Sequence, residues 1–148
     1  MTINRNALVW DKDQVMTWLR REFPQAFLHG GDYEILELEP GRARVRCVLD
    51  ETALRPGGTV MGPAMMRAAD ITCYVILLAH GGEAAGDSVT TNMAMSFLRR
   101  PAPGDIEADV TVLKHGRTLV VMDAKIYSSA SGDLIANSEM SYFNAAAQ

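Results

Sequence analysis

The sequence predicts an α+β fold in which a six-stranded, mostly antiparallel sheet wraps around one long central helix. Apolar and polar residues alternate with a period of two in six separate runs, which is typical of half-buried strands. One further run, from Gly62 to about His80, has a helical pattern and is apolar on nearly every side. Because a surface helix would show a polar face, this helix must be wrapped by other structure.

The chain begins with an expected amphipathic helix over DKDQVMTWLRREF (11–23). Asp11 is a suitable N-cap, and Pro24 stops the helix. Apolar side chains recur at helical spacing at Val15, Trp18, Leu19 and Phe23. This segment is predicted to pack on the main fold as an extra N-terminal helix.

A hairpin is predicted next. One strand runs from Tyr33, and after a PGR turn a second strand alternates from Ala43 to Leu49. The apolar face of the first strand changes parity between Ile35 and Leu36. Either a bulge lies there, or the strand proper starts at Leu36.

The stretch RPGGTVMGPAMMRAAD (55–70) leads into the central helix, which Gly81-Gly82 should end. Four strands are then predicted over 88–98, 106–113, 118–127 and 134–143, joined by short turns. In the first of them, Val89, Thr91, Met93, Met95 and Phe97 are expected on one face, and Ser88, Thr90, Asn92 and Ala94 on the other.

Length and composition indicate a single domain over residues 1–148, with residues 1–30 as a helical segment that packs on it. A net charge of -4 argues against a nucleic-acid partner, which would require a dense basic surface. Cys47 and Cys73 lie in apolar runs without CxxC or Cys/His clusters, so neither a disulfide framework nor a metal site is expected.

The first residues, MTINRNALVWDKDQ, lack the basic and apolar regions of a secretory signal. The longest largely apolar stretch, Ile71 to Ala79, is too short to span a bilayer. We therefore expect a soluble, cytoplasmic protein without a membrane partner.

The entrance of the central helix has the features of a reaction site. Gly62 keeps its backbone N–H at the positive end of the helix dipole, and Pro63 suits the first turn. Such a donor can stabilise a developing oxyanion. Asp70 follows eight residues later, on roughly the same side of the helix, and can act as general base or nucleophile.

A structural role for the same aspartate is equally compatible with the sequence. Arg67 and Asp70 are three residues apart, the spacing of an ion pair on a helix. Against this, a charged pair on an otherwise apolar helix is costly to desolvate, which favours a functional reason for it. The residues alone leave both interpretations open.

Several motifs occur together in one order: GGTVMGPAMMRAAD, GDSVTTNMAMSFLRRPAPGD, KHGRTLVV and GDLIANSEMSY. In this arrangement, over roughly residues 30 to 144, the chain resembles the hotdog-fold acyl-CoA thioesterases of the phenylacetate-degradation (PaaI-like) type. That resemblance implies a helix inside a curled sheet, subunits joined edge to edge as a homodimer or homotetramer, and thioester sites at the interface.

The resemblance also implies roles for single residues. Gly58 matches an upstream glycine of the family, Gly62 the oxyanion-binding glycine, Asp70 the acid, and Ser88 a hydroxyl that orients the attacking water. Three positions depart from the family pattern N-x-x-G-x-x-H-G-G, where this chain has Arg55, Met61 and Pro63. The pair of an N–H donor and a carboxylate is retained.

The implied reaction is hydrolysis of an acyl-CoA with a medium-chain or aryl acyl group, without a cofactor other than the coenzyme A of the substrate. Asp70 would come from the opposite subunit to Gly62. Cations for the CoA phosphates are expected at Arg99, Arg100, Lys114, His115 and Arg117, while Arg55 could bind a substrate carboxylate or CoA, or pair with Asp70.

Two other functions compete with hydrolysis. A hotdog dehydratase would need a catalytic histidine, and the helix-entry loop contains none. A non-catalytic acyl-CoA binding or sensing domain agrees with the changes at Arg55 and Met61, but it has no need of a costly carboxylate at Asp70.

Overall fold

A computed structural model describes residues 5–28 and 31–147 of the chain. The strands form one antiparallel sheet in the order β1-β2-β4-β5-β6-β3, and the long second helix packs against its inner face. The predicted fold class is confirmed. The elements are α1 (Lys12–Glu22), β1 (Asp32–Glu39), β2 (Arg42–Val48), α2 (Gly62–Gly81), β3 (Val89–Phe97), β4 (Ile106–His115), β5 (Leu119–Ser128) and β6 (Leu134–Phe143).

Helix α1 starts at a capping box. The Asp11 side chain accepts from the Gln14 N–H, and the Gln14 side chain accepts from the Asp11 N–H, each at 2.9 Å. Val15 and Leu19 point into the core and are fully buried. The predicted N-terminal helix is therefore present and contributes to the core.

Helix α2 is the centre of the core, as its apolar sequence predicts. Met61 is the N-cap, and Gly82 ends the helix with a φ of 62°, a conformation that favours glycine. The Gly82 N–H donates to the Leu78 carbonyl at this end. Tyr74, Ile76 and most other α2 side chains are buried against the sheet.

The extent predicted for the longest apolar stretch is wrong. The apolar helical segment is longer than Ile71 to Ala79, since it continues from Gly62 through a short turn to Ala85. Within the described residues this segment is long and apolar enough to cross a membrane, but 72% of its most apolar part is buried inside the protein. A core helix satisfies the same criteria, so length and composition give weak evidence for a span.

Two bulges decide which side chains face the helix. In β1 a bulge lies between Ile35 and Glu37, which explains the change of parity in that strand. In β3 a bulge lies between Thr90 and Asn92. The alternation predicted from the sequence for β3 is therefore wrong at Thr90, which lies on the inner face.

Strand pairing shows the effect of the β3 bulge. Thr90 is paired with Tyr142, and Met93 is paired with Met140. Tyr142 and Met140 are both buried and two residues apart in β6, so they share the inner face of the sheet. Thr90 and Met93 share that face with them, although three residues separate them in the sequence.

Candidate active site

The first turn of α2 lies beside an aromatic ring. A Cβ built on Gly62 would lie 3.3 Å from Cζ of Phe97, so the Phe97 ring packs closely against this glycine. The Gly62 N–H belongs to the first turn, whose N–H groups have no acceptor within the helix. A carbonyl oxygen that reaches this position would meet a backbone donor at the positive end of the helix.

An open cleft of about 730 Å³ surrounds this turn, and we call it the Gly62 cleft. Arg55, Arg99 and Arg100 line it, and no acidic side chain among residues 5–28 and 31–147 does. The cleft therefore has a positive lining. Its other lining residues are Pro56, Thr59, Val60, Gly62, Met65, Phe97, Leu98 and Pro101.

A tight loop holds Arg55 at this cleft. The Arg55 N–H donates to the Thr59 carbonyl at 2.8 Å, and the Gly58 N–H donates to the Arg55 carbonyl at 3.0 Å. Gly58 has a φ of 83°, in the left-handed region that glycine adopts without strain. This turn geometry gives Gly58 a structural reason to be glycine.

The remaining predicted residues of the loop lie next to the cleft. Met61 is partly buried and packs against the core, and Pro63 is exposed in the first turn of α2. Neither lines the Gly62 cleft. Met61, where the resemblance to the PaaI-like type implies a histidine, is thus a packing side chain.

Asp70 lies in a second open cleft, of about 650 Å³, which we call the Asp70 cleft. Two hydroxyl groups converge on one oxygen of its carboxylate. Thr90 Oγ1 lies 2.5 Å and the Tyr142 hydroxyl 2.6 Å from Asp70 Oδ1. Within the described residues no donor reaches Oδ2, so the carboxylate is oriented through Oδ1 and presents Oδ2 for chemistry.

Tyr142 is suited to remain a donor. Burial, and next the charge of Asp70, raise the pKa of the Tyr142 hydroxyl above its usual value. The hydroxyl also lies 2.9 Å from the backbone carbonyl of Asp70. Tyr142 therefore stays protonated at physiological pH and ties β6 to the Asp70 turn of α2.

The Arg67–Asp70 ion pair, one of the two interpretations left open above, does not form. No ion pair joins these two residues, both of which the structure describes. Arg67 is directed elsewhere, since its Nη2 atom lies 3.8 Å from where a Cβ on Gly31 would be. The partners of Asp70 are the two hydroxyls.

Ser88 lines the Asp70 cleft but does not contact the aspartate in this chain. It is buried, and its Oγ accepts a hydrogen bond from the Ala145 N–H at 3.0 Å. This bond attaches the C-terminal segment to the start of β3. Thr90, two residues later, provides the hydroxyl that contacts Asp70.

The predicted basic residues do not all come together. Arg99 and Arg100 lie at the Gly62 cleft, whereas Lys114 and Arg117 line neither this cleft nor the Asp70 cleft. His115 belongs to β4, where its ring packs edge-on against His80 near the C-terminal end of α2, with ring centroids 5.3 Å apart. That end lies about 27 Å from Gly62 along the helix axis.

Gly62 and Asp70 also belong to different clefts. Eight residues of helix separate them by about 12 Å along the axis. One chain therefore presents an N–H donor in one cleft and an oriented carboxylate in the other. Strand β3 runs between the two clefts, with Thr90 at the Asp70 cleft and Phe97 at the Gly62 cleft.

Strand β3 is an edge of the sheet, paired with β6 along one side. Most of its side chains are exposed, including Val89 at 56% and Phe97 at 51%. An exposed apolar edge strand is a surface on which another strand can pair.

No group of three or more His, Cys, Asp or Glu side chains in residues 5–28 and 31–147 could hold a metal ion. Cys47 and Cys73 are buried and unpaired, and burial raises the pKa of the Cys47 thiol to about 12. The polar groups that line the two clefts are carboxylates, hydroxyls, guanidinium groups and backbone groups.

Residues 57–135, which contain both the helix entrance and Asp70, match the thioesterase superfamily. The chain is also 31% identical, over 112 residues, to a protein of Saccharolobus solfataricus named as a candidate esterase; the match covers 76% of this chain and 78% of that protein. The chain belongs to the thioesterase superfamily. Within it, the PaaI-like type remains a prediction.

Solved structures agree with this assignment. A candidate thioesterase of Silicibacter sp. TM1040 is 36% identical and superposes with a TM-score of 0.79 over 97% of each chain. The PaaI protein of the E. coli phenylacetic acid degradation operon is 18% identical, with a TM-score of 0.74 over 88% of this chain and 91% of that one. At that identity the likeness shows the fold alone, which is the hotdog fold.

A thioesterase of Streptococcus pneumoniae TIGR4, named as hypothetical, shares the fold in a structure with coenzyme A. It is 19% identical, with a TM-score of 0.71 over 84% of this chain and 94% of that one. A chain with this fold can therefore hold coenzyme A.

The two hydroxyl groups that donate to Asp70, those of Thr90 and Tyr142, were not predicted from the sequence. Thr90 was assigned to the wrong face because a bulge cannot be located from a run such as SVTTNM. Tyr142 is 72 residues from Asp70, and its alternation in β6 marks it only as buried. A buried tyrosine needs a partner for its hydroxyl, and that was the one available signal.

Proposed function

We propose that this protein is an acyl-CoA thioesterase, of the PaaI-like type, that acts on medium-chain or aryl acyl groups as a cytoplasmic homodimer or homotetramer. The observation that carries the proposal is the separation of Gly62 and Asp70 into two clefts at either end of an exposed edge strand. Membership of the thioesterase superfamily supports the same chemistry.

An antiparallel pair of β3 strands from two copies would bring the two clefts together. The Thr90 end of one strand would then lie beside the Phe97 end of the other. The Gly62 cleft of one subunit would face the Asp70 cleft of its partner, which makes two equivalent sites. A single chain has both required groups but does not bring them to one substrate.

In such a site the Gly62 N–H would donate to the thioester carbonyl oxygen and stabilise the negative charge that develops there. Asp70 Oδ2 from the other subunit would take a proton from water, whose oxygen attacks the carbonyl carbon. Alternatively, Oδ2 attacks directly and forms an anhydride that water then cleaves. In both routes the C–S bond breaks and the thiolate of coenzyme A leaves.

The hydroxyls of Thr90 and Tyr142 fit this role of Asp70. By holding Oδ1 they fix the direction of Oδ2, the oxygen that would act as base or nucleophile. Ser88, the hydroxyl that the family resemblance predicts, lines the same cleft and remains a candidate for orienting water.

Arg55, Arg99 and Arg100 are proposed to bind the phosphates of coenzyme A. They line the cleft that holds the oxyanion donor, and guanidinium groups bind phosphate in a bidentate manner. The coenzyme A held by the Streptococcus pneumoniae relative supports this choice of ligand. Contacts from Lys114 and Arg117 would require another subunit.

A non-catalytic acyl-CoA binding domain is the second candidate. It is favoured by Arg55 and Met61, which stand where the family has a hydrogen-bonding asparagine and histidine. It does not explain why two hydroxyls orient Asp70 and leave one oxygen open.

Thiol release from acetyl-, hexanoyl-, lauroyl-, phenylacetyl- and benzoyl-CoA tests the proposal. Wild type should hydrolyse at least one of them, and Asp70→Asn should lower that rate by roughly two or more orders of magnitude. Asp133→Asn is the matched control, because Asp133 lies in the exposed turn before β6. Binding without thiol release would favour the sensing domain, and an unchanged rate in Asp70→Asn would refute the mechanism.

A further inference from the structure

Beyond Asp70, the Asp70 cleft continues between α1 and α2 and acquires an aromatic wall. Trp18, Phe23 and Tyr74 line this part. Tyr74 makes edge contacts with both other rings, with centroids 6.0 Å from Trp18 and 6.1 Å from Phe23. Trp18 of α1 and Phe23, the residue that follows this helix, thus contribute two of the three rings of this wall.

Contacts at Gly86 hold this wall in place. A Cβ on Gly86 would lie 2.8 Å from Cζ2 of Trp18, so the indole packs directly on the glycine backbone. The Tyr74 hydroxyl donates to the Gly86 carbonyl at 2.6 Å. The rings of Trp18 and Tyr74 are therefore both fixed against the turn at Gly86, so the wall exists before any ligand binds.

The charge of this cleft is opposite to that of the Gly62 cleft. Glu22, Glu83, Asp87 and Asp70 line it, and no lysine or arginine in the part of the chain that the structure describes does. Arg21 pairs with Glu22 at 2.8 Å and offsets that charge. Glu83 and Asp87 form no ion pair within the described residues, so the outer end of the cleft is negative.

We propose that the aromatic part of the Asp70 cleft binds the distal end of the acyl group and selects acyl groups that end in a cationic, ammonium-type head. This inference rests on the proposed thioesterase function. A cation is attracted to aromatic faces and to nearby carboxylates, whereas a terminal carboxylate would be repelled by the same groups. The phosphates of coenzyme A would remain at the arginines of the other cleft.

Two acyl-CoAs of equal shape test the charge preference. 4-(Trimethylammonio)butyryl-CoA carries a cationic head, and 5,5-dimethylhexanoyl-CoA carries a neutral carbon in place of the nitrogen. At low ionic strength we expect kcat/KM to be at least about tenfold higher for the cationic compound. A partly desolvated contact of the cation with the aromatic rings, beside two carboxylates, is strong enough to give a difference of this size. The ratio should decrease as salt is added.

Matched variants locate the preference. In the double variant Glu83→Gln/Asp87→Asn the ratio of the two kcat/KM values should fall to about two or less, and Phe23→Leu should lower it part of the way. Phe23 is 39% exposed, so its replacement leaves most of the core packing intact. Asp133→Asn removes a carboxylate outside the cleft and should leave the ratio unchanged.

A ratio near one or below in wild type, or a ratio that survives the double variant, would overturn the inference. If neither these two compounds nor any of the five acyl-CoAs of the first assay is hydrolysed, the proposed function is at fault, and the dissociation constants of both compounds for wild type then decide the charge preference. Hydrolysis of any of those five without hydrolysis of either test compound would overturn this inference alone. Tighter binding of the cationic compound that is lost in the double variant supports the inference. Equal binding, or no binding of either compound, overturns it.

Discussion

The two clefts of this chain differ in charge and in chemistry. The Gly62 cleft has three arginines, a backbone donor and the ring of Phe97. The Asp70 cleft has four carboxylates, two hydroxyls on Asp70 and an aromatic wall. Thioester cleavage as proposed needs an N–H donor and a carboxylate. The Gly62 cleft contains the donor, and the Asp70 cleft contains the carboxylate.

This difference indicates how an acyl-CoA would be oriented. Its phosphates would be drawn to the arginines, and its acyl end would be left to the cleft that repels phosphate. The thioester would then lie at the junction, between the Gly62 N–H of one subunit and Asp70 of the other.

The largest effect is expected from mixing two inactive variants. Gly62→Pro removes the N–H donor, and Met61, with φ -72° and ψ 151°, already has the backbone conformation that precedes proline. Asp70→Asn removes the base. Each variant alone should lose activity by at least about a hundredfold. Co-expressed chains should regain about a quarter of wild-type activity, because half the dimers would contain one intact site.

Gly62→Ala is the matched control for this mixture. It introduces a Cβ at the same place against Phe97 but keeps the N–H, so it separates loss of the donor from the contact with the ring. Steady-state thiol release from the purified co-expressed population of dimers measures the recovery. No recovery with soluble, dimeric mixtures would contradict a site shared between subunits.

A smaller loss of activity is expected when the Thr90 hydroxyl that donates to Asp70 is removed. Thr90→Val keeps the shape of the side chain but deletes the donor at 2.5 Å, and kcat should fall about tenfold to a hundredfold, as for a hydrogen bond to a charged group. Ser88→Ala should instead lower the free energy of unfolding by about 1 kcal/mol, because the Ala145 N–H loses its acceptor.

Measuring kcat and urea unfolding on both variants distinguishes the hydroxyls. A large loss of kcat in Ser88→Ala with unchanged stability, and none in Thr90→Val, would restore the assignment made from the family resemblance.

The fold was predictable because its signals are local and repeated. The alternation of β4, β5 and β6 and the apolar run of α2 each follow from one face or one helix being buried. Gly62 and Asp70 could also be named as candidates, since their spacing along one helix is visible in the sequence, and their catalytic roles stay a prediction. The strands and the helix, which depend on the pattern of neighbouring residues, could therefore be predicted from the sequence.

The rest of the candidate site depends on contacts between distant residues. Tyr142 reaches Asp70 across 72 positions, and the bulge that turns Thr90 inward is an irregularity of the pairing with β6. The wall of Trp18, Phe23 and Tyr74 arises from the docking of α1, which the sequence predicted only as packing. Tertiary pairing, not composition, decides these positions.

A change confined to the Gly62 cleft should affect binding more than turnover. In Arg99→Gln/Arg100→Gln we expect KM for acyl-CoA to rise about tenfold, with kcat nearly unchanged and a weaker dependence of KM on salt, because two phosphate contacts are lost. Lys114→Gln is the informative comparison. An equal rise in KM would mean that another subunit brings this residue to the phosphates.

The smallest effect concerns stability at the far end of α2, away from both clefts. Burial, and next the electrostatic effects of His80 and Arg5, lower the pKa of His115 to about 4, below its usual value of about 6.5. Between these values the unfolded chain binds more protons than the folded one, so stability is complete above about pH 6.5 and is lost as pH falls toward 4. At pH 5 the loss from this group should be about 1 to 2 kcal/mol.

His115→Phe isolates this contribution, because a phenyl ring keeps the edge contact with the His80 ring but does not titrate. Urea unfolding of both proteins at pH 7.5 and pH 5 measures it. Wild type should lose about 1 to 2 kcal/mol more than the variant between the two pH values. Equal losses of stability in the two proteins would mean that other groups cause the acid sensitivity. Activity per folded molecule should be the same in both proteins, because His115 lines neither cleft.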